Sequence, residues 1–360
     1  MVIAQYPITT TPTYNFPQST MDTLLPKQFT ELSLHSLMQS HVHSAQLNEQ
    51  VFQQLNPEEH VQTLRIKLEP IPLKPIHEET IVAAVDTSTM KIAETNAGSV
   101  LAVRGANVWK QNENYRYTRL GPFIFHVTDD NKSELYDALE SSYFPSIRGQ
   151  NRHNSPSLWQ MPTRIATLLE RWQQSMLTKT IENGLILFDG SLTAGTPDTP
   201  THRMKETLSN GRSRKNTILA FSKMTNLRVH GCLITEFKSD QRPPYLLETT
   251  GLRLKPPMVT LGAVYVAKLS KGNCAFRLDI DQEVPSDSRI MAVRKLLGND
   301  LVSQSYPETL RLAHILCTFT ANEVLAMRRF ITRKCGLHII NRPDMHKLLF
   351  GPFGKGESYS

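Results

Sequence analysis

Two aspartates each close an apolar run in this chain. One lies in Val82-Ala83-Ala84-Val85-Asp86-Thr87-Ser88, the other in Leu185-Ile186-Leu187-Phe188-Asp189-Gly190-Ser191-Leu192. In both, β-branched, aliphatic or aromatic residues stop at a carboxylate followed by small hydroxyl or glycine residues. An Asp at the end of a buried strand, with a small-residue turn after it, projects from the sheet edge into a cleft. One such Asp is also what an ordinary turn looks like, with the side chain capping the next amides. Two in one domain point to a shared site in which paired carboxylates hold a divalent cation. Metal-activated water at such a site cleaves phosphodiesters.

Two further residues could join them. Glu170 sits one step off an apolar helical stripe, between Leu169 and Arg171. Glu in that place is ordinarily solvated; the functional alternative is a third carboxylate at the sheet edge. His314, in Leu310-Arg311-Leu312-Ala313-His314-Ile315-Leu316, follows Tyr306 by eight residues. That is about two helical turns, so the pair is expected on one helix face. An apolar neighbourhood usually holds a structural His; here it would also allow a metal ligand or proton carrier beside a phenol. Three carboxylates and one imidazole suit Mn²⁺ or Mg²⁺ better than Zn²⁺.

The elements that must position these residues are legible in outline. Residues 1–27 read as a flexible Pro/Thr-rich arm. Residues 28–56 carry helical periodicity up to Asn56-Pro57, and a Pro-rich bridge runs to Pro75. The helix over 28–56 is a candidate docking element for a partner, or a packing element of the main domain. That domain is expected over 76–336, with a tail at 337–360. It opens with strands at Ile81–Asp86 and Ser99–Trp109 joined by a turn at Asn96-Ala97-Gly98, then a strand at Phe123–Val127. Helices follow at Lys132–Ser141 and 162–182, with Pro162 suited to a first turn. The strand to Asp189 comes next, then a basic stretch and a strand at Thr217–Phe221. Later strands are expected at Val259–Lys268 and Cys274–Ile280, and a helix at Ser288–Leu297. Two C-terminal helices begin at Tyr306-Pro307 and at the capping box Thr320-Ala321-Asn322-Glu323. Strands in a meander, then alternating with helices, make a mixed α/β sheet flanked by helices.

Composition narrows the class. The chain has 360 residues and 39% hydrophobic content, enough for a sizeable core. No apolar run approaches the ~20 residues of a membrane span, and the first residues lack a signal-peptide pattern. Four scattered cysteines without a CxxC pair fit a reducing cytoplasm and argue against a cysteine zinc site. Net charge is +7, with a sequence pI near 9.2, which favours a polyanionic partner. From Thr201 to Thr225 six Lys/Arg face one acid. Arg203, Arg212, Arg214, Lys215 and Lys223 are therefore the candidate DNA-phosphate contacts, against the plainer reading of a solvated basic face. Trp109, Phe123 and Tyr306 could stack on bases, although strand aromatics more often belong to a core.

Taken in order, these residues resemble the NurA family of prokaryotic DNA-repair nucleases, over roughly Ile81 to Gly336. The strand to Asp86 looks like that family's first acidic motif. Leu168-Leu169-Glu170-Arg171-Trp172 and Leu187-Phe188-Asp189-Gly190-Ser191-Leu192 look like its second and third. Ser222-Lys223 resembles a basic element, and Tyr306-Pro307 with Leu312-Ala313-His314 resembles a C-terminal motif. The resemblance implies an RNase H-like fold and a Mn²⁺ (or Mg²⁺) site of Asp86, Glu170, Asp189 and His314, with Tyr306 beside it. It also implies a homodimer with 5′-to-3′ exonuclease and single-strand endonuclease activity, working with a HerA-type hexameric ATPase in DNA end resection and double-strand break repair. Thr87 stands where the family usually has Gly. Two rival readings remain: a non-catalytic DNA-binding adaptor of a ring ATPase, and an actin-like phosphotransferase opening a phosphate-binding hairpin after Asp86.

Overall fold

The computed structural model describes residues 24–38, 61–62, 64–143 and 156–340. Residues 1–23 of the arm expected over 1–27, residues 39–56 of the helix expected over 28–56 and residues 341–360 of the tail expected over 337–360 lie outside the described residues.

A first helix, α1 (Leu24–Met38), precedes a long antiparallel meander of β1 (Val82–Glu94), β2 (Gly98–Gln111) and β3 (Asn114–Thr128). Helices α2 (Lys132–Tyr143) and α3 (Met161–Thr180) follow. Then come β4 (Leu185–Asp189), α4 (Thr201–Ser213) and β5 (Thr217–Ser222). The chain continues through β6 (Tyr245–Thr250), β7 (Gly262–Lys268), β8 (Phe276–Asp281) and three helices: α5 (Ser286–Asn299), α6 (Glu308–Cys317) and α7 (Ala321–Cys335).

One ten-stranded sheet runs β6-β7-β8-β5-β4-β1-β2-β3 through its main strands. β1, β2 and β3 are antiparallel neighbours; β4 lies parallel to β1 and β5 parallel to β4. The first five strands in chain order thus stand 3-2-1-4-5, the arrangement of an RNase H-like sheet, and β8, β7 and β6 extend it antiparallel.

Alternation along the strands sorts side chains between two helical layers. Val82, Ala84, Leu185, Leu187, Leu219 and Phe221 form one core with α5 and α6. Ala83, Val85, Ile186, Phe188, Ile218 and Ala220 form the other, against Leu177 of α3 and Met204 and Leu208 of α4. The apolar positions of β4 alternate between both cores because helices cover both faces, which is why its sequence is a continuous apolar run. α1 packs into a third cluster: Phe29 is fully buried, with its ring 5.3 Å from Phe123 and 5.9 Å from Phe125. For the described part of that segment, packing is what is observed.

The structure corrects several expectations. β1 does not end at Asp86. It pairs with β2 from Val82↔Lys110 to Glu94↔Ser99, and the hairpin turns eight residues past Asp86. Thr87 and Thr89 are β-formers, and with Ser88 and Met90 they continue the ladder, but their polar or exposed side chains hide the strand from an apolar-run criterion. Tyr306 is not on the helix of His314: it lies in a two-residue ladder, Ser303↔Tyr306, before α6 begins at Glu308. The basic stretch after Asp189 is helix α4, and strand β6 was not foreseen. The capping box at Thr320 forms as expected, with the Glu323 amide donating to Thr320 Oγ1 and the Thr320 amide to Glu323 Oε2. Gly98 is required at its place, since a Cβ there would stand 2.0 Å from the Val127 carbonyl oxygen.

Glu323 also reaches across to Arg104 of β2, whose side chain is 4% exposed; the Nη2 to Oε1 distance is 2.7 Å. Burial pushes the Glu323 carboxyl up. The Arg104 hydrogen bond and the Thr320 amide outweigh it and hold the group down at about 2. A depressed folded-state pKa gives stability that is full above the ordinary Glu range and lost as pH falls from about 4.5 toward 2. Glu323→Gln is therefore expected to lose less stability than the wild type between those pH values. Urea unfolding at pH 5 and pH 3 measures it, and equal losses would remove Glu323 from the acid response.

Candidate functional site

The parallel register of β1 and β4 ends at Val85↔Phe188. One residue further on each strand come Asp86 and Asp189. Beyond this point β1 continues alone with β2, while β4 stops, so the two strands part and leave a crevice at the carboxyl end of β4. Alternation puts both aspartates on the α6 face, in phase with Val82 and Ala84 on β1 and with Leu185 and Leu187 on β4. Thr87 points to the α3 face, where its hydroxyl donates to the Ala166 carbonyl at 3.3 Å and lies 3.5 Å from Glu170 Oε2.

Asp86 is 6% exposed. Its Oδ1 accepts the Thr87 amide at 2.8 Å, and its Oδ2 lies 2.7 Å from His314 Nδ1. Burial, and then the Asp189 charge, raise its pKa against the opposing effects of His314 and Lys223. Asp189 Oδ2 accepts from Lys223 Nζ at 2.7 Å. Glu170 Oε1 accepts from Gln174 Nε2 at 2.8 Å. Burial is the main cause lifting the Glu170 carboxyl to about 7; Arg171 opposes it, and Asp86 and Asp189 add to it. The three carboxylates thus feel one another's charge, and a cation among them relieves that repulsion. The Tyr306 ring packs against Phe221 and Phe276, with Lys223 Nζ 5.6 Å from its centre. Its hydroxyl is buried without a hydrogen-bond partner among the described residues. Burial, with Asp189 and Asp86 next, raises its pKa beyond the ordinary phenol range.

The turn that presents Asp189 is held from three sides. Gly190, at φ +100°, donates its amide to the Phe221 carbonyl, and its own carbonyl accepts from Ser222 Oγ at 2.8 Å. The Leu192 amide donates to Asp279 Oδ2 at 3.0 Å. Asp279 in turn takes a two-pronged bond from Arg277, at 2.7 Å on each oxygen.

The basic candidates divide. Lys223 and Arg203 lie at the site's end of the sheet; Arg203, in the first turn of α4, pairs with Glu206 at 2.9 Å. Arg212, Arg214 and Lys215 stand at or just beyond the far end of α4, before β5 starts. The length of β5 puts them roughly 15–20 Å from Lys223. Arg212 is engaged by Asp281 and Glu283, and Arg214 by Glu182. Helical phase and chain direction, not linear proximity, decide which cations reach the crevice. Trp109 and Phe123 are core residues.

Sequence reading missed Cys317. It lies one turn beyond His314 on α6, and ligand atoms of Asp86, His314 and Cys317 all fall within 4.8 Å of one another. The signal was present as His-x-x-Cys on a helix. It went unread because cysteines were sought in pairs.

Neither a family model nor a curated protein matches this chain. Among solved structures, it is similar to the NurA nuclease from Sulfolobus solfataricus, at 13% identity and a TM-score of 0.44 over 74% of this chain and 88% of that one. It is similar to endonuclease V from Bacillus subtilis, at 13% identity and a TM-score of 0.30 over 73% and 88%. It is also similar to A. aeolicus Argonaute, at 9% identity and a TM-score of 0.24 over 70% and 29%. The strand order, rather than these scores, makes the sheet RNase H-like. No helix among the described residues is long and apolar enough to cross a membrane.

Proposed function

We propose that the protein is a metal-dependent DNA nuclease whose site is Asp86, Asp189, Glu170 and His314. The observation that carries this reading is the juxtaposition of Asp86 and Asp189 one residue past the last β1–β4 pair. The donor set fits a divalent cation: the Asp86 and Asp189 carboxylates share one sheet face with an exposed imidazole, Glu170 adds a third carboxylate from α3, and like charge helps raise the Asp86 and Glu170 pKa values. When bound, Mn²⁺ or Mg²⁺ supplies a Lewis acid that lowers the pKa of its water and neutralises charge on the cleaved phosphate.

The chain's own groups do the rest. Asp86 and Asp189 fix the site across the crevice, and the Thr87 amide holds Asp86 in place. His314, aligned by Asp86, accepts or returns a proton at its solvent side. Lys223 offsets the Asp189 charge in the free protein and turns to a phosphate oxygen when DNA enters. Tyr306 supports Lys223 from below through its ring. Arg203 is the remaining basic candidate at this end of the sheet. By the family resemblance, the enzyme is a homodimer with 5′-to-3′ exonuclease and single-strand endonuclease activity. It would resect DNA ends in the cytoplasm with a HerA-type hexameric ATPase.

Incubation of 5′-labelled single-stranded DNA with the wild type and Mn²⁺ tests this. Cleavage that a chelator stops is expected. DNA binding without cleavage, with or without a HerA-type ATPase, would replace the nuclease with a DNA-binding adaptor. The phosphotransferase reading calls for a hairpin that turns directly after Asp86, whereas the β1–β2 hairpin turns at 95–97.

A further inference from the structure

We infer that Asp86, His314 and Cys317 form a binding site for a thiophilic divalent cation of the Zn²⁺ class. The site shares two residues with the proposed nuclease centre, and it rests on that reading only for what the ion does there.

Three observations carry it. First, the donor atoms are together: a carboxylate oxygen, an imidazole nitrogen and a thiol sulfur lie within 4.8 Å of one another. On a tetrahedral zinc ion such atoms stand roughly 3.3–3.6 Å apart, given Zn–N and Zn–O bonds near 2.0–2.2 Å and Zn–S near 2.3 Å. The Asp86–His314 contact, at 2.7 Å, opens to that spacing and the thiol closes on it, each by a side-chain rotation of about an ångström or less. Second, the scaffold is rigid. His314 and Cys317 are spaced i, i+3 on α6, which puts them on one helix face. Asp86 is held in the ladder opposite Ala106 of β2, with its second oxygen pinned by the Thr87 amide. Cys317 is fully buried and its Sγ donates to the His314 main-chain carbonyl at 3.2 Å, a bond that a metal-bound thiolate would give up. Third, the group is open on one side. The His314 side chain is 54% exposed. Three protein ligands with an open fourth position is the pattern of catalytic zinc, as distinct from closed structural zinc.

The donor chemistry sets the class of ion. A thiolate and an imidazole beside one carboxylate favour Zn²⁺ and Co²⁺ over Mg²⁺ and Ca²⁺, which take oxygen. The oxygen donors Asp189 and Glu170 are not members of this three-atom group, and Asp189 is held by Lys223. Binding releases the thiol proton to solvent and leaves sulfur as the thiolate ligand, with no change in oxidation state. Because Asp86 and His314 serve both positions, zinc and manganese compete for them.

Co²⁺ titration followed by absorption spectroscopy tests this. Cys232, Cys274 and Cys335 are first replaced by Ser, so that Cys317 is the sole thiol. The expected result is a sulfur-to-cobalt charge-transfer band that saturates at one ion per chain and is bleached by Zn²⁺. The band is expected to vanish in Cys317→Ala and weaken in His314→Asn, each checked for folding by circular dichroism. Absence of the band in the folded Cys317-only protein, or its persistence in Cys317→Ala, would overturn the assignment. The nuclease reading is read separately: cleavage with Mn²⁺ but no thiolate band sinks this inference alone, and a band without cleavage under any metal sinks the nuclease alone.

Discussion

If the proposed nuclease reading holds, replacing Asp86 with Asn is expected to lower Mn²⁺-dependent cleavage of single-stranded DNA by at least about 10³-fold, while the metal-free protein keeps or raises its thermal midpoint. The magnitude follows from what the carboxylate does. Preorganised charge at a reacting phosphate carries several kcal/mol, and each 1.36 kcal/mol is tenfold in rate. The stability half follows from the structure. Asp86 is buried beside Asp189, and its charged form is disfavoured by burial and by that neighbour. Asn keeps the volume, an oxygen for the Thr87 amide and a polar partner for His314, and removes the repulsion. Loss of activity with a lowered midpoint would mean that the substitution damages the fold, and the site assignment would lose its support. Cleavage within tenfold of wild type would move the chemistry elsewhere.

Asp279→Ala is expected to destabilise the protein by about 3–5 kcal/mol, the usual cost of stranding one member of a buried ion pair. Asp279 is fully buried and accepts both Arg277 nitrogens and the Leu192 amide. Without it, the Arg277 guanidinium, 9% exposed, keeps its charge and loses its counter-ion. The double variant Asp279→Leu with Arg277→Met is expected to recover most of the loss, since a packed apolar pair of similar volume is often neutral. Denaturant unfolding of the two variants decides this. A double variant as unstable as the single one would place the cost in packing, not in unpaired charge. The Leu192 amide ties this pair to the turn after Asp189, so Asp279→Ala also loosens one of the two aspartates of the site.

The parts of the site that were legible share a cause. The Asp189 turn announces itself because a four-residue apolar run, Leu185–Phe188, meets an aspartate and then a glycine, which takes φ +100°. The mixed sheet is readable because strands in a row are followed by strands alternating with helices. The Thr320 cap is local and forms as read. What was not legible depends on register and phase. Whether β1 stops at Asp86 or runs on to Glu94 is decided by its pairing with β2, from Asp86↔Ala106 to Glu94↔Ser99. Thr87 is extended backbone, so the position needs no glycine, and its hydroxyl serves α3 instead. Tyr306 reaches the site through the core around Phe221, not through a helix face shared with His314. The division of the basic residues between two ends of the sheet follows from the direction of α4, which composition does not encode.

Mn²⁺ binding followed by electron paramagnetic resonance tests the central claim most directly, because it reads the Asp86–Asp189 pair without assuming a substrate. If the two carboxylates share one ion across the crevice, Asp86→Asn and Asp189→Asn each abolish the tight site, and the double variant is no weaker than either. If either single variant binds Mn²⁺ as the wild type does, the two aspartates do not form one metal site and the account fails at its core.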